Sequence, residues 1–419
     1  MSNGAIEYQS RGLTAKGEPI PQPHVAVLGK GFAGLLCAYH LAQSVKKPDQ
    51  VAVIGSDIQG ASGISSWYVA QHSPEALEAK LIQLLGKYIS EERAAIAHHL
   101  SCEHLRETEQ FADMVERATG QGINRCAEGY SGVRELTGFT PERHWAGKSI
   151  LHYLIGEIKK KGVHILTGTI VDVSGSNHGY EVLLEDSRKR RLPIAAENII
   201  IAAGGLASKQ EHATVPTNAL PNVSEMVKAN LGVEVTAMDQ AIHFPFAIDQ
   251  KGYLKRGLLS PAFIRRAQIV SEDQSGNRTE FLPQALVETL RTGNYRHIFP
   301  QLNTLFHEQT QRGNRVLVVT DFDDVEFERY RMREYYGHVF RGKALVEVKK
   351  GIHVKPAYHY TLGGIEVDRK MKASREGVYA IGESAFVFGE DRIIGGEYMA
   401  TVTLAPLLAQ EIKQQMERG

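Results

Sequence analysis

The chain has 419 residues, which suffices for two domains or for one large domain with an insertion. It carries 48 Lys and Arg residues against 48 Asp and Glu residues, and this balance gives no reason to expect nucleic acid or an anionic membrane as a partner. No apolar run reaches the length of about 18 residues that predicts a transmembrane helix. Cys37, Cys102 and Cys126 show neither CxxC nor metal-ligand spacing, so we expect no metal site and a reducing, cytoplasmic location.

The first informative segment is HVAVLGKGFAGLLCAYHLAQ at residues 24–43, in which an apolar strand is followed by Gly29-x-Gly31-x-x-Gly34 and then by a helix. Gly29 allows the tight turn, Gly31 lets the backbone approach a pyrophosphate, and Gly34 lets the helix pack on the strand. The free N–H groups and the dipole of the helix N-terminus favour the negative charge of phosphates. The segment therefore predicts a dinucleotide-binding loop.

The second strand is QVAVIGSD at residues 50–57. Many dinucleotide-binding folds end this strand with an acidic residue that holds the adenosine ribose, whereas this chain has Ser56 there and Asp57 just beyond. Helical and strand patterns then alternate along the chain. The helical segments are residues 74–118 and 143–162, and the strands are residues 164–175, 179–186 and 197–205, the last of which stops at a double glycine.

The segment from about Leu206 to Lys349 departs from this alternation. It mixes helices, Pro-rich turns and one clear strand, RVLVVTDF at residues 315–322, and we interpret it as an inserted domain. The alternation returns at Gly351, with a last strand in REGVYAIGESA and a closing helix at residues 397–419. The predicted domains are residues 20–235 and 351–419, which form two parts of one domain, and residues 236–350, which form the insert.

Three separated glycine motifs resemble the frame of a glutathione-reductase-type FAD domain. They are the GxGxxG loop, the mid-chain IIIAAGG and the C-terminal GVYAIGE. In that frame the first loop holds the pyrophosphate, and the strand that ends in Gly-Gly lets the chain pass close to the cofactor. Glu383, directly after Gly382, can accept hydrogen bonds from ribose or ribityl hydroxyls. The resemblance implies an α/β fold with a glutathione-reductase-type, Rossmann-like FAD-binding domain.

Within that class the chain resembles the succinate dehydrogenase, fumarate reductase and L-aspartate oxidase flavoproteins over roughly residues 24–415. PAYHYTLGGIEVD is similar to their HYxMGGI segment, and EGYSGVRELTGF with HWAGKSILHYL is similar to their EGGHSxRR and TGxxI region. RVLVVTDFDDVEFE resembles the VYLDxxHLxxE strand, and EDRIIGGEYMATVTLAPLLA resembles the GANRLGGNSLL loop with its following helix. The resemblance implies that the insert is an α+β capping domain that closes over the flavin.

The resemblance also implies non-covalent FAD, because the loop after the second strand lacks the His to which succinate dehydrogenases attach the cofactor. Ser56 would contact the adenosine ribose, and Val171 would present backbone atoms to adenine. Ser65 and Ser66 would lie near the phosphates. The implied FAD-binding residues are Gly29, Gly31, Phe32, Ala33, Gly34, Ser56, Asp57, Ser65, Ser66, Val171, Ala203, Gly204, Gly382, Glu383 and Met399.

Four residues are implied as catalytic. His359 and Arg392 would bind a substrate carboxylate near the flavin, because Arg offers a fork of donors and His can donate to the same group. Arg296, ahead of the cap strand, is matched to the catalytic arginine of the family cap, and Glu128 falls on the glutamate of EGGHS. Two simpler interpretations stay open, namely a hydrogen-bonded core histidine for His359 and a surface ion pair with a neighbouring acidic residue for Arg392.

One departure from the family bears on the substrate. Where the family has MEFVQFHPT, this chain has MDQAIHFPF at residues 238–246. Phe244 and Phe246 therefore stand at the His and Thr positions, and His243 lies one residue early, which in a strand turns it to the other face. Desolvating a carboxylate against Phe is costly. The segment predicts a substrate with one carboxylate and an apolar or aromatic end, while a local bulge that restores His243 stays open.

The leading hypothesis is an FAD-dependent oxidase or dehydrogenase that transfers hydride between a carboxylate-bearing substrate, first of all an amino acid, and flavin N5. Two alternatives stay open. One is a reductase or desaturase of a larger apolar substrate; the other is a non-catalytic FAD-binding subunit, since Glu397-Tyr398 also replaces the Asn-Ser of the family loop. As partners we expect a small-molecule substrate and O₂ or a separate electron acceptor, and no nucleic acid or membrane. A homo-oligomer is left open.

Overall fold

The computed structural model of the chain describes residues 23–56, 69–127, 137–141, 147–177, 179–206, 222–248, 254–258, 267–292, 299–321, 323–325, 327, 345–391, 393 and 395–418. It describes the backbone alone at residues 124–127, 137–141, 244–245, 254–258, 292, 299–300, 345 and 347.

The strands of the described residues follow one another along the whole chain. They are β1 Val25–Leu28, β2 Val51–Gly55, β3 Val69–Gln71, β4 Ile123–Ala127, β5 Thr137–Pro141, β6 His164–Thr167, β7 Thr169–Ser176, β8 Gly179–Glu185, β9 Arg191–Ala196, β10 Asn198–Ile201, β11 Val235–Thr236, β12 Ala241–Ile248, β13 Leu254–Leu258, β14 Ala267–Glu272, β15 Arg278–Glu280, β16 Arg315–Thr320, β17 Ile352–Thr361, β18 Gly364–Ile365 and β19 Val378–Ala380.

The α-helices of the described residues lie between these strands. They are α1 Phe32–Ser44, α2 Pro74–Leu85, α3 Glu91–Thr119, α4 Gly147–Lys160, α5 Val223–Leu231, α6 Gln284–Thr292, α7 Phe299–Gln311, α8 Leu345–Lys349 and α9 Gly396–Arg418. The helical pattern predicted over residues 74–118 is split into two helices. α2 ends at Leu85 with Gly86 as its C-cap. Ser90 is the N-cap of α3, and its hydroxyl oxygen accepts a hydrogen bond from the N–H of Arg93.

A parallel sheet in the order β19-β10-β1-β2-β6 forms the centre of the fold. Its β1, β2, β10 and β19 are buried along their whole length, as expected for strands that helices cover on both faces. α1 packs against α9 and α4, and their apolar faces share one core with the sheet. This arrangement confirms the predicted α/β class and the predicted Rossmann-like core. Because the strands are parallel, their carboxyl ends meet at one edge.

An antiparallel sheet in the order β13-β12-β17-β16-β14-β15 forms a second unit with its own apolar core. Leu302 and Phe306 of α7 pack into that core, together with Val316 and Val318 of β16. The sequence predicted only β16 as a clear strand here, since the other strands are short or interrupted by Pro and Gly. β17 belongs to this sheet although it lies beyond the predicted boundary at residue 351, and the domain boundaries stay a prediction.

Candidate functional site

The turn between β1 and α1 is fixed by its glycines. Gly29 adopts φ +134, and a Cβ there would overlap the carbonyl oxygen of Ala202 at the end of β10. Gly34 lies where the helix crosses the turn, and a Cβ there would overlap the carbonyl oxygen of Gly29. The N–H of Gly29 donates to the carbonyl oxygen of Ile54 on β2 at 2.8 Å. The loop therefore lies in close contact with the carboxyl ends of β10 and β2, as the GxGxxG spacing predicts.

α1 presents its N-terminus at the carboxyl edge of the parallel sheet. Its N-cap residue is Gly31, which has no side chain to cap the first N–H groups. The first turn, which begins with Phe32, Ala33 and Gly34, contains no acidic residue. The first N–H groups of a helix have no intrahelical acceptor, and the dipole adds partial positive charge there. This helix end therefore suits an anion such as a diphosphate.

The two later glycine motifs meet the first one at the same edge. Gly382 adopts φ +67, and a Cβ there would lie 2.6 Å from Cβ of Ala33 on α1. The hydroxyl of Ser384 donates to the carbonyl oxygen of Gly204 at 3.2 Å. Ala203, which precedes Gly204, is exposed at this edge. The fold thus brings together three motifs that lie far apart in the sequence.

Glu383 connects this edge to the end of β17. Its Oε1 accepts a hydrogen bond from the N–H of Thr361 at 2.8 Å. The hydroxyl oxygen of Thr361 accepts from the N–H of Leu206 at 2.7 Å and lies 3.2 Å from the hydroxyl of Tyr358. Glu383 therefore has a structural role besides the binding of ribose or ribityl hydroxyls, which stays a prediction.

Ser56 and Val171 lie beside the same edge. Ser56 directly follows β2 and is half-buried. The pairing of β7 with β8 shifts register between Ile170 and Asp172, so Val171 is the extra residue of a β-bulge. A bulged residue stands outside the regular ladder, which suits the backbone contact with adenine predicted for Val171. Three predicted cofactor residues lie outside the described residues, namely Asp57, Ser65 and Ser66.

The start of α9 packs on the start of α1. The ring centroid of Phe32 lies 5.5 Å from that of Tyr398 and 5.3 Å from that of Phe111. Met399 is fully buried, and its N–H donates to the carbonyl oxygen of Gly395 at 3.1 Å. Tyr398, one of the two residues that replace Asn-Ser in the family loop, is thus part of an aromatic cluster next to the glycine loop.

The candidate substrate residues meet where β12 pairs with β17. Ile242 is opposite Tyr360, but His243 is opposite Tyr358, so His359 is the extra residue of a β-bulge on β17. The rings of His243 and Tyr358 lie on one face, with their centroids 5.2 Å apart. A bulge re-aims a side chain and is common next to active sites. His359 itself is half-buried.

The two faces of β12 differ in character. Asn303 on α7 donates to the carbonyl oxygen of His243 at 3.0 Å, which fixes the strand against α7. Burial lowers the pKa of His243 below its ordinary value and raises the pKa of the Tyr358 hydroxyl. Phe246 stands an odd number of positions from His243, on the opposite face, and is only 6 % exposed. Phe244 is described by its backbone alone.

The remaining catalytic candidates, Arg296, Arg392 and Glu128, lie outside the described residues. The flanks of Arg392 are nevertheless fixed. The N–H of Glu390 donates to the carbonyl oxygen of Leu84 on α2 at 2.8 Å, and Ile393 is buried. Glu390 also faces Gly86, where a Cβ would lie 2.6 Å from its Oε2.

The residues at the carboxyl edge fit FAD. An uncapped helix N-terminus offers backbone donors to a diphosphate, and the glycines leave no side chain between those donors and the neighbouring strands. Among the described residues there is no group of three His, Cys, Asp or Glu side chains that could hold a metal ion. No helix in the described part of the chain is long and apolar enough to span a membrane.

The sequence did not point to three residues that the structure places in or beside the site. Lys30 lies at the carboxyl edge of the parallel sheet, and Tyr358 and Thr361 lie on β17 next to Glu383. Tyr358 and Thr361 belong to the motif PAYHYTLGGIEVD, but only the bulge reveals which of its side chains share a face. Lys30 lies inside the glycine loop, and an ionic side chain between Gly29 and Gly31 was the available signal.

Comparison with known proteins gives a consistent picture. A family model described as FAD binding domain matches residues 24–391. An L-aspartate oxidase of Bacillus subtilis is 25% identical over 411 residues, which cover 93% of this chain and 72% of the relative. An L-aspartate oxidase of Pyrococcus horikoshii is 24% identical, with 93% of this chain and 78% of the relative covered.

Solved structures show the same fold. An E. coli quinol fumarate reductase structure superposes with a TM-score of 0.71 at 17% identity, covering 94% of this chain and 70% of that chain. A 3-ketosteroid Δ1-dehydrogenase of Sterolibacterium denitrificans superposes with a TM-score of 0.61 at 13% identity, covering 94% of this chain and 99% of that chain.

Proposed function

The chain belongs to the FAD binding domain family and is an FAD-dependent oxidoreductase of the aspartate oxidase and fumarate reductase type, and on this premise we propose that it oxidises a small substrate with one carboxylate and an uncharged second end, first of all an amino acid. When bound, FAD supplies the two-electron acceptor, which takes a hydride from the substrate at N5. The observation that carries the proposal is the junction of β12 and β17, where His243, Tyr358 and the bulged His359 lie together.

In this proposal one end of the substrate is fixed through its carboxylate. Arg392 would bind it in two places, since a guanidinium matches the geometry of a carboxylate. His359 would donate to the same group, and its place in a bulge supports an aim that differs from that of the flanking Tyr358 and Tyr360.

The second end of the substrate would meet His243 and Tyr358. Because burial lowers the pKa of His243 and raises that of Tyr358, both side chains are neutral at pH 7. A second carboxylate would gain no ionic partner from them and would still be desolvated. An apolar or aromatic side chain avoids that penalty, so the charge at this junction favours a monocarboxylate over aspartate, succinate or fumarate. Phe246 lies on the other face of β12, where it is buried, and would not contact the substrate.

Proton transfer would involve the cap. As hydride leaves the substrate carbon, a proton must leave the adjacent nitrogen or carbon, and the family resemblance gives this role to Arg296. By the same resemblance Glu128 is matched to the glutamate of the family's EGGHS segment and is a further catalytic candidate. O₂ or a separate acceptor would then reoxidise the flavin.

The decisive experiment is the absorbance spectrum of the purified protein under anaerobic conditions, with L-amino acids and dicarboxylates added in turn. We expect apolar or aromatic L-amino acids to bleach the oxidised-flavin band, and aspartate and succinate to leave it. Bleaching by aspartate would contradict the proposal and indicate an aspartate oxidase. A band that none of the compounds bleaches would favour the reductase, desaturase or non-catalytic alternatives. Peroxide formation in air identifies O₂ as the acceptor.

A pair of arginine variants tests the site itself. Arg392→Ala should reduce turnover by at least about 100-fold while FAD stays bound, because a charged hydrogen-bonding partner of the substrate is lost. Arg312→Ala, at an exposed arginine directly after α7, is the control and should retain full turnover. Unchanged turnover in Arg392→Ala would remove Arg392 from the substrate site.

A further inference from the structure

Lys30 is a buried lysine inside the glycine loop. It lies between Gly29 and Gly31 and is only 7 % exposed. Lysines are rarely buried unless their ammonium has a specific partner. Here Nζ donates to the hydroxyl oxygen of Thr167, the last residue of β6, at 2.6 Å. The ammonium is therefore held at the carboxyl edge of the sheet, on the exposed Thr167.

The side chain of Lys30 reaches this partner by crossing the end of β2. A Cβ on Gly55 would lie 3.0 Å from the backbone N of Lys30 and 3.4 Å from its Cγ, so the Lys30 side chain passes directly over Gly55. Gly55 is paired with Thr167 in the parallel ladder, and Gly168 donates to the carbonyl oxygen of Gly55 at 3.0 Å. One side chain thus spans the carboxyl ends of β1, β2 and β6.

That position coincides with the adenosine side of a dinucleotide site. In doubly wound folds the diphosphate lies at the start of the first helix, and an acidic residue after the second strand accepts hydrogen bonds from the ribose. In this chain Ser56 follows β2, and the Lys30 ammonium is bound to Thr167, which pairs with Gly55 in the ladder. The bulged Val171, four residues after Thr167, borders the same side. A donor with positive charge therefore lies close to the place where an acidic acceptor is usual.

We propose that Lys30, whose ammonium is held by its hydrogen bond to Thr167, binds and positions the ADP half of FAD. Its ammonium would donate to oxygen atoms of that half and would add to the positive potential of the α1 N-terminus. The alternative is a purely structural role, in which the Lys30 side chain links β1, β2 and β6 and its removal leaves the affinity for the cofactor unchanged.

The test measures binding to the apoprotein, so it does not depend on the substrate or on turnover. Lys30→Met keeps the aliphatic stem and removes the charge. The dissociation constant of FAD is measured by quenching of flavin fluorescence, and that of ADP by competition with FAD. We expect both constants to rise by the same factor, about 10- to 100-fold, as for the loss of a charged hydrogen bond. Lys46→Met, at an exposed lysine just after α1, should leave both unchanged.

Two further measurements distinguish a role of Lys30 in cofactor binding from a purely structural role. The thermal midpoint of each apoprotein reports the structural role. A lower midpoint in Lys30→Met with unchanged ADP affinity would overturn the proposal, and so would a loss of FAD affinity without a loss of ADP affinity. If Lys30→Met does not fold, Thr167→Val decides, because it keeps the ammonium and removes its anchor. We expect that variant to weaken ADP about 2- to 5-fold; unchanged ADP affinity in Thr167→Val would reject the assignment.

Discussion

The carboxyl edge of the parallel sheet and the junction of β12 with β17 are built on different principles. At the edge, Gly29 and Gly34 bring backbone against backbone and Gly382 lies against Cβ of Ala33, so a side chain at any of the three would collide with a neighbouring segment. At the junction, the faces of the strands are decided by one extra residue, His359, which places His243 opposite Tyr358. A short motif therefore fixes the cofactor side, whereas the substrate side can change with a shift of one residue.

The largest expected effect tests the rigidity of the edge. Gly34→Ala would place a Cβ on the carbonyl oxygen of Gly29. Because that oxygen belongs to the backbone, rotation of a side chain cannot relieve the overlap. We expect a loss of more than about 3 kcal/mol in the free energy of unfolding, beyond the usual cost of overpacking, together with loss of FAD binding. Urea unfolding and flavin content measure the two.

The matched control is the same substitution on another helix. A Cβ on Gly156 of α4 would have no atom within 4 Å, so Gly156→Ala should stabilise the protein by about 0.5–1 kcal/mol through helix propensity. Opposite signs for the two variants would confirm that close backbone approach sets the glycine motif. Equal effects would indicate that the edge tolerates side chains.

Acid should destabilise the fold through two histidines, the buried His72 and the half-buried His353. His72, just after β3, is 3 % exposed, and within the described residues neither of its ring nitrogens has a hydrogen-bond partner. Burial lowers its pKa to about 4, with a smaller contribution from His104. Burial also lowers the pKa of His353 on β17 to about 4, assisted by the nearby Lys355 and Arg315.

The sign of the acid effect follows from these shifts. Between about pH 6.5 and pH 4 the unfolded chain binds protons that the folded chain excludes, so the free energy of unfolding falls as the pH falls. His72→Leu should remove up to about 3 kcal/mol of this pH dependence, and His353→Leu should remove less because His353 is only half-buried. Urea unfolding at pH 7 and pH 4.5 measures both. His98→Leu, at an exposed histidine, is the control, and an unchanged slope in His72→Leu would refute the assignment.

The same contrast explains what the sequence could predict. The spacing predicts the turn at Gly29 and the close packing at Gly34 because such positions depend on backbone geometry, which a spacing reveals. The face of His243 could not be assigned, since it depends on a bulge at His359, on the partner strand, more than a hundred residues away. The place of Lys30 between two glycines is visible in the sequence, but its path over Gly55 to Thr167 is a tertiary feature that no spacing predicts.

The smallest effect concerns the link between the two regions. Thr361→Val keeps the shape of the side chain but leaves the N–H of Leu206 without its acceptor, which should cost about 1–2 kcal/mol. Glu383→Gln keeps an oxygen for the N–H of Thr361 but loses the charge, at a cost of about 1 kcal/mol. Thr310→Val, on the exposed side of α7, is the control and should change stability by less than about 0.5 kcal/mol.

The double variant shows whether the edge and the junction behave as one unit. If Thr361 and Glu383 act together, the loss in the double variant should differ from the sum of the single losses by at least about 0.5 kcal/mol, since contacting residues in one network are not additive. Additive losses would mean that the cofactor edge and the β12–β17 junction are energetically independent. Binding of FAD would then leave the face that carries His243 and Tyr358 unchanged, and substrate preference could be altered there by substitution without loss of the cofactor.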